Sequence, residues 1–198
     1  MSEITLKING KSVKAKEGMT ILEAARGAGI TIPTLCHHKK LAPYGACRLC
    51  MVEIVKRGRA QLVVSCVYQV AEGLEVETES LKVIRFRKLL LELMLANAPE
   101  AKPIQRYAKQ YGVDTVRYEI DVPNPCILCG RCVRYCDEVK KANAIGFVGR
   151  GQEQKVMFLA EVAADECPTC KKYLACPTQI LQSIYKSQVM LRDEQGNQ

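Results

Sequence analysis

Eleven cysteines constrain this 198-residue chain more than any other feature, because six of them fall into three C-x2-C pairs at 47/50, 126/129 and 167/170. A C-x2-C pair sets two thiolates on one short loop, within reach of one metal centre. The odd total and the repeated pairs argue against a disulfide framework. "MSEITLKING" has no basic stretch followed by an apolar run, so no signal peptide is visible. No apolar run approaches the roughly 18 residues that a membrane span needs. A cytoplasmic, reducing setting in which clustered cysteines hold metal is expected.

Cys36, Cys47, Cys50 and Cys66 form C-x10-C-x2-C-x15-C. Plant-type [2Fe-2S] ferredoxins use a shorter first gap, C-x4-C-x2-C, with a distant fourth cysteine. A loop wrapped around a two-iron core needs small residues such as Gly45 and Ala46 to bring backbone N–H groups close, and the distant Cys66 ties loop to sheet. Structural zinc is the rival, but it favours two close pairs over one pair and two singles. His37 and His38 follow Cys36 directly and are read as loop residues, not ligands.

The surrounding pattern suits a β-grasp ferredoxin. "ITLKI" and "KSVKAK" alternate and are joined by Asn9-Gly10, a two-residue hairpin signal. Thr20 and Glu23 form a capping box ahead of a helix that Gly29 can close. "MVEIV", "QLVVSC" and "LEVET" supply further strands. Residues 81 to 120 read as a helical connector. Its first helix carries Leu81, Ile84, Leu89, Leu90, Leu93 and Met94 and stops before Pro99; its second opens at Pro103 and ends near Gly112. The leucine-rich face is read as core or as an interface with a larger partner. Residues 121 to 185 form a second cysteine-rich unit and 186 to 198 a polar tail, of which "LRDEQGNQ" is expected to fray. The fold class expected is α+β: an N-terminal β-grasp [2Fe-2S] domain over 1–80, the connector, and a bacterial-type ferredoxin-like four-iron domain.

"CILCGRCVRYC" places Cys126, Cys129, Cys132 and Cys136 at C-x2-C-x2-C-x3-C, the bacterial four-iron run. Together "TIPTLCHHKKLAPYGACRLCMVEI" and "NPCILCGRCVRYCDEV…AIGFVGRG" resemble one iron–sulfur subunit family. That family includes the small diaphorase subunit of NAD-linked hydrogenases and the start of the large peripheral-arm subunit of respiratory complex I. The family pattern after the long helix is similar to "NHP-x-DC-x2-C-x5-C", holding another four-iron cluster. Here Ala98, Lys102, Gln105 and Tyr111 stand at the ligand positions, so no metal is expected between residues 97 and 112.

In two-cluster ferredoxins the fourth cysteine of the run reaches the other cluster. By that rule Cys126, Cys129 and Cys132 are completed by Cys176, before Pro177. Cys136 joins Cys167 and Cys170 at a second site whose fourth cysteine is missing from "CPTCKKYLACP". That site could hold a four-iron core with Asp165, Glu166 or Tyr173 as ligand, hold a three-iron core, or stay empty.

The resemblance implies an electron relay between a flavin/NAD-binding diaphorase subunit and a catalytic partner. The chain's shortness favours a hydrogenase, with a formate dehydrogenase, complex I-like or other electron-bifurcating complex as alternative. No G-x-G-x2-G or Walker loop is present, so NAD or flavin binding by this chain is not expected, and no nucleophile–base pair suggests a catalytic residue. The formal charge of +8 also fits a zinc-stabilised nucleic-acid module. That reading suffers from the absence of Trp, only three Phe, and no basic–aromatic stacking platform. Dianionic clusters account for much of the basic excess instead, so no nucleic-acid partner is expected.

Overall fold

The structure, a computed structural model, describes residues 2–56, 58–120, 124–170 and 176–190. Strands β1 (Glu3–Ile8) and β2 (Lys11–Lys16) form a hairpin in which Ile8 faces Lys11. Asn9 and Gly10 both take positive φ, at 51° and 75°, as the type I′ turn between twisted strands requires. Alternation puts Leu6, Ile8, Val13 and Ala15 on the buried face. Helix α1 (Ile21–Gly27) starts at the expected capping box, with the Thr20 hydroxyl accepting from the Glu23 amide and the Glu23 carboxylate accepting from that of Thr20.

Strands β3 (Met51–Lys56), β4 (Arg59–Val64) and β5 (Glu75–Glu77) complete a five-stranded sheet of order β2-β1-β5-β3-β4. The β1–β5 pairing is parallel and the others antiparallel. This is the β-grasp arrangement, with α1 packing Ile21, Leu22, Ala24 and Ala25 into the core.

Helix α2 (Leu81–Asn97) is capped by the Ser80 hydroxyl, and α3 (Lys102–Tyr111) ends at Gly112 in the left-handed conformation. The two helices lie where the sequence places them, but α2 presents a different face. Val83, Arg87 and Leu91 are buried at i, i+4 and i+8, whereas Leu81 is 75% exposed and Leu89 and Leu93 are exposed as well. The core face of α2 therefore runs through an arginine and not along the leucine series.

In the C-terminal unit, α4 (Arg131–Arg134) continues as a π-helical turn over Tyr135–Lys140. A hairpin of β6 (Ile145–Val148) and β7 (Lys155–Phe158) follows, then α5 (Ala160–Cys170) and α6 (Leu181–Tyr185). Lys186–Met190 forms a further π-helical turn. Val189 there is 1% exposed, and the Gln188 side chain accepts from the Phe158 amide. Residues 191–198 lie outside the described set.

The two cysteine-rich units are docked. Leu35, Cys36, Cys47 and Leu49 share one core with Leu91, Ile104, Tyr111 and Cys129. The loop after Cys36 meets α4 and the π-helical turn that continues it: the Ala42 amide donates to Glu138 at 2.9 Å, the Arg134 guanidinium donates to the Ala42 carbonyl, and it stacks 4.7 Å over the Tyr44 ring. Gly130 permits this approach, since a Cβ there would lie 3.0 Å from the Tyr44 ring and its φ is +70°.

Candidate metal centres

The described cysteines are free thiols and gather into three groups. In the first, Cys36, Cys47, Cys50 and Cys66 are all buried. The Cys47 amide points at the Cys36 sulfur, 3.5 Å away. The hydrogen bond from the Cys47 thiol, foremost, holds Cys36 well below the ordinary thiol range, and Cys66 does the same for Cys50. Their partners Cys47 and Cys66 are pushed up correspondingly. The four buried thiols thus share protons in two hydrogen-bonded pairs, Cys36 with Cys47 and Cys50 with Cys66, and loading iron means displacing those protons.

His37 is engaged by Arg26, 3.2 Å from its Nδ1. Burial, helped by that charge, lowers its pKa. His38 accepts from the Lys40 amide and stands edge-on to Tyr135. Both are held in protein contacts of the loop.

In the second group, Cys126, Cys129, Cys132 and Cys176 line one cavity, bounded by Ile127, Val156 and Leu181. Burial pushes the Cys129 thiol up to about 11 and the Cys132 thiol to about 12, so loading this site means displacing protons. In the third group, Cys136, Cys167 and Cys170 line a neighbouring cavity together with Glu166, Lys140 and Tyr185, and Cys132 of the second group borders it as well. The Cys136 sulfur accepts from the Ala144 amide at 3.2 Å. Cys132 borders both cavities, while Cys176 lines only the second-group cavity and Cys136, Cys167 and Cys170 only its neighbour. Asp165 does not line the third cavity, and Tyr173 lies outside the described residues.

Buried Arg131 Nε lacks a hydrogen-bond partner among the described residues and sits at the second cage, while the Ser65 hydroxyl at the first cage bonds the Cys50 sulfur. Ser65 is fully buried and precedes Cys66, and its backbone amide donates to the Cys50 carbonyl. Arg131 lines the second cavity, between Cys129 and Cys132. Orphaned donors are rare in folded proteins, and inorganic sulfide beside thiolates is an acceptor that would satisfy Arg131. The donor set therefore fits iron–sulfur clusters. Among the described residues no group of three or more His, Cys, Asp or Glu is arranged to hold a single metal ion. The sequence reading missed both donors; their signal was adjacency to cysteines.

The connector shows what stands at the four substituted family positions. Ala98 is buried at the end of α2, Lys102 begins α3, and Gln105 donates to the Pro99 carbonyl at 2.7 Å. Tyr111 is buried against Arg87, the fully buried cation of α2. The Arg87 guanidinium donates to the Tyr111 hydroxyl (2.7 Å), to Glu79 (2.7 Å), and to the carbonyls of Leu49 (3.1 Å) and Met51 (2.8 Å). Those carbonyls flank Cys50, so Arg87 braces the two-iron loop from behind.

Burial pushes the Tyr111 phenol up to about 12. A raised pKa on an acid means that the unfolded chain loses its proton first. The contribution is therefore complete below the ordinary tyrosine range near 10 and is lost as pH rises towards 12. Urea melts between these limits should show a fall in stability with pH that is shallower in Tyr111→Phe. Equal slopes would remove Tyr111 from the network.

Buried cysteine cages on a β-grasp sheet and a ferredoxin-like unit define an iron–sulfur electron-transfer protein. Residues 1–80 match the model of the 2Fe-2S iron-sulfur cluster binding domain, and residues 120–179 that of the NADH-quinone oxidoreductase subunit 3 ferredoxin-like domain. A solved structure of an NAD+-reducing [NiFe]-hydrogenase in the H2-reduced state superposes with a TM-score of 0.70 at 30% identity, covering 80% of this chain and 76% of that one. The alpha subunit of the NADPH-Fe(3+) oxidoreductase of Geobacter sulfurreducens is 36% identical over 88% of this chain and 23% of its own length. The NADP-reducing hydrogenase subunit HndD of Solidesulfovibrio fructosivorans is 32% identical over 90% and 36%. The chain belongs to the family of iron–sulfur subunits shared by NAD(P)-linked hydrogenases and complex I-type NADH oxidoreductases. It spans about a quarter to a third of the length of these curated relatives. No helix among the described residues is long and apolar enough to cross a membrane.

Proposed function

We propose that this chain is the electron-relay subunit between a flavin-containing NAD(P)(H) subunit and a catalytic partner, a hydrogenase, in a cytoplasmic complex. Cys36, Cys47, Cys50 and Cys66 hold a [2Fe-2S] core within a domain ending near residue 80. Cys126, Cys129, Cys132 and Cys176 hold a [4Fe-4S] core in a unit beginning near residue 121. When bound, these groups supply reversible one-electron transfer.

The observation that carries the reading is the docking of the two cysteine cages through one shared core, with Cys36, Cys47 and Cys129 in it. The protein's own contribution is to exclude water from both cages, direct amides and the Ser65 and Arg131 donors at sulfur, and fix the spacing between the sites. The basic excess fits the same picture, since the cores are anionic. The exposed leucines of α2 fit permanent assembly with a larger subunit.

Anaerobic purification of the native complex tests the reading. A flavin-containing subunit should copurify, and NAD(P)H should bleach the visible absorption of this chain's clusters at rates that require that subunit. A complex lacking flavin would overturn the assignment.

A further inference from the structure

The geometry points to Glu166 as the fourth ligand of a second four-iron site, completing the three thiolates of Cys136, Cys167 and Cys170. This deepens the relay reading and rests on it. The family's usual cysteine is missing from this segment, and Cys132, which also borders the cavity, lines the first four-iron cavity with Cys126, Cys129 and Cys176.

Three observations carry the assignment. Helix α5 puts Glu166, Cys167 and Cys170 in the wall of one cavity, and residues four apart on a helix share a face. Cys136 enters the same cavity from the π-helical turn, its sulfur already accepting the Ala144 amide. Asp165, one residue earlier, does not line it. Lys140 supplies a cation in the same wall, offsetting the charge of an anionic core.

A carboxylate is a harder donor than a thiolate and a poorer match for iron in a sulfide core. The iron held by Glu166 is therefore the one most easily lost. Under a one-electron oxidant such as ferricyanide, that corner departs as one ferrous ion, the core gives one electron to the oxidant, and a three-iron core with all its sulfide remains.

The test uses the full chain purified anaerobically, with iron and sulfide counted and the oxidation followed by EPR and Mössbauer spectroscopy. The wild-type protein should hold about ten irons. Glu166→Ala should form the three-iron EPR signal faster, and Glu166→Cys slower, each on the order of tenfold, as expected for changed support of a metal. A packing role would not move the rate in opposite directions. Identical rates in all three proteins, nine irons with a three-iron core already present, or about six irons would each overturn Glu166 ligation while leaving the relay reading intact. Zinc without sulfide would instead overturn the relay reading itself.

Discussion

Replacing Cys176 with Ser should abolish the first four-iron cluster and leave the two-iron cluster in place, although Cys176 lies about 44 positions beyond the C-x2-C-x2-C loop it completes. The expectation follows from the cavity that Cys176 shares with Cys126, Cys129 and Cys132. Its counterpart is Cys136→Ser. That change stays within the four-cysteine run, yet it should spare the first cluster, because Cys136 belongs to the neighbouring cavity with Cys167 and Cys170. The two variants should therefore give different Mössbauer subspectra. Loss of the first cluster in Cys136→Ser and its survival in Cys176→Ser would reverse the assignment of the two cavities.

Arg87→Met should cost about 2–5 kcal/mol, the scale of leaving two or more buried acceptors without a donor. Arg87 is 0% exposed and donates to four groups. Methionine matches much of its length but leaves the Leu49 and Met51 carbonyls and the Tyr111 hydroxyl without their donor, each at a desolvation cost of about 1–3 kcal/mol. Because those carbonyls flank Cys50, the two-iron centre should also become more labile and its potential should change, while the four-iron signal stays. Arg87→Lys should recover only part of the stability, since one ammonium cannot span the same fork of acceptors. A melting curve and a redox titration of Arg87→Met that both overlay those of the wild type would refute the brace.

Arg87 also shows where the sequence is hard to read. Within "SLKVIRFRKLLLELMLANAP" an arginine among leucines suggests the solvent face, because Arg is almost never fully buried unless paired. The pairing partners here are Glu79, Tyr111 and two carbonyls of another element, so no local pattern announces them. The same limit applies to the docking of the units. Ala42 meets Glu138 across 96 positions, and hydrophobic periodicity carries no information about such pairs.

Local signals, in contrast, were legible wherever a backbone requirement selects a residue type. Asn9-Gly10 turns the first hairpin, Thr20 and Glu23 open α1, and Gly112 closes α3 in the left-handed conformation. The cysteine groups were legible for a related reason, since a thiolate cage demands a few residues at constrained spacing. The choice between Asp165 and Glu166 was not legible, because adjacent residues on a helix differ by about 100° in direction and only the packed cavity distinguishes them.

Iron, acid-labile sulfide and zinc counted together in the anaerobically prepared chain test the central claim most directly. The account predicts iron and sulfide in nearly equal amounts, at least about six of each per chain, with no stoichiometric zinc; stoichiometric zinc without sulfide would contradict it.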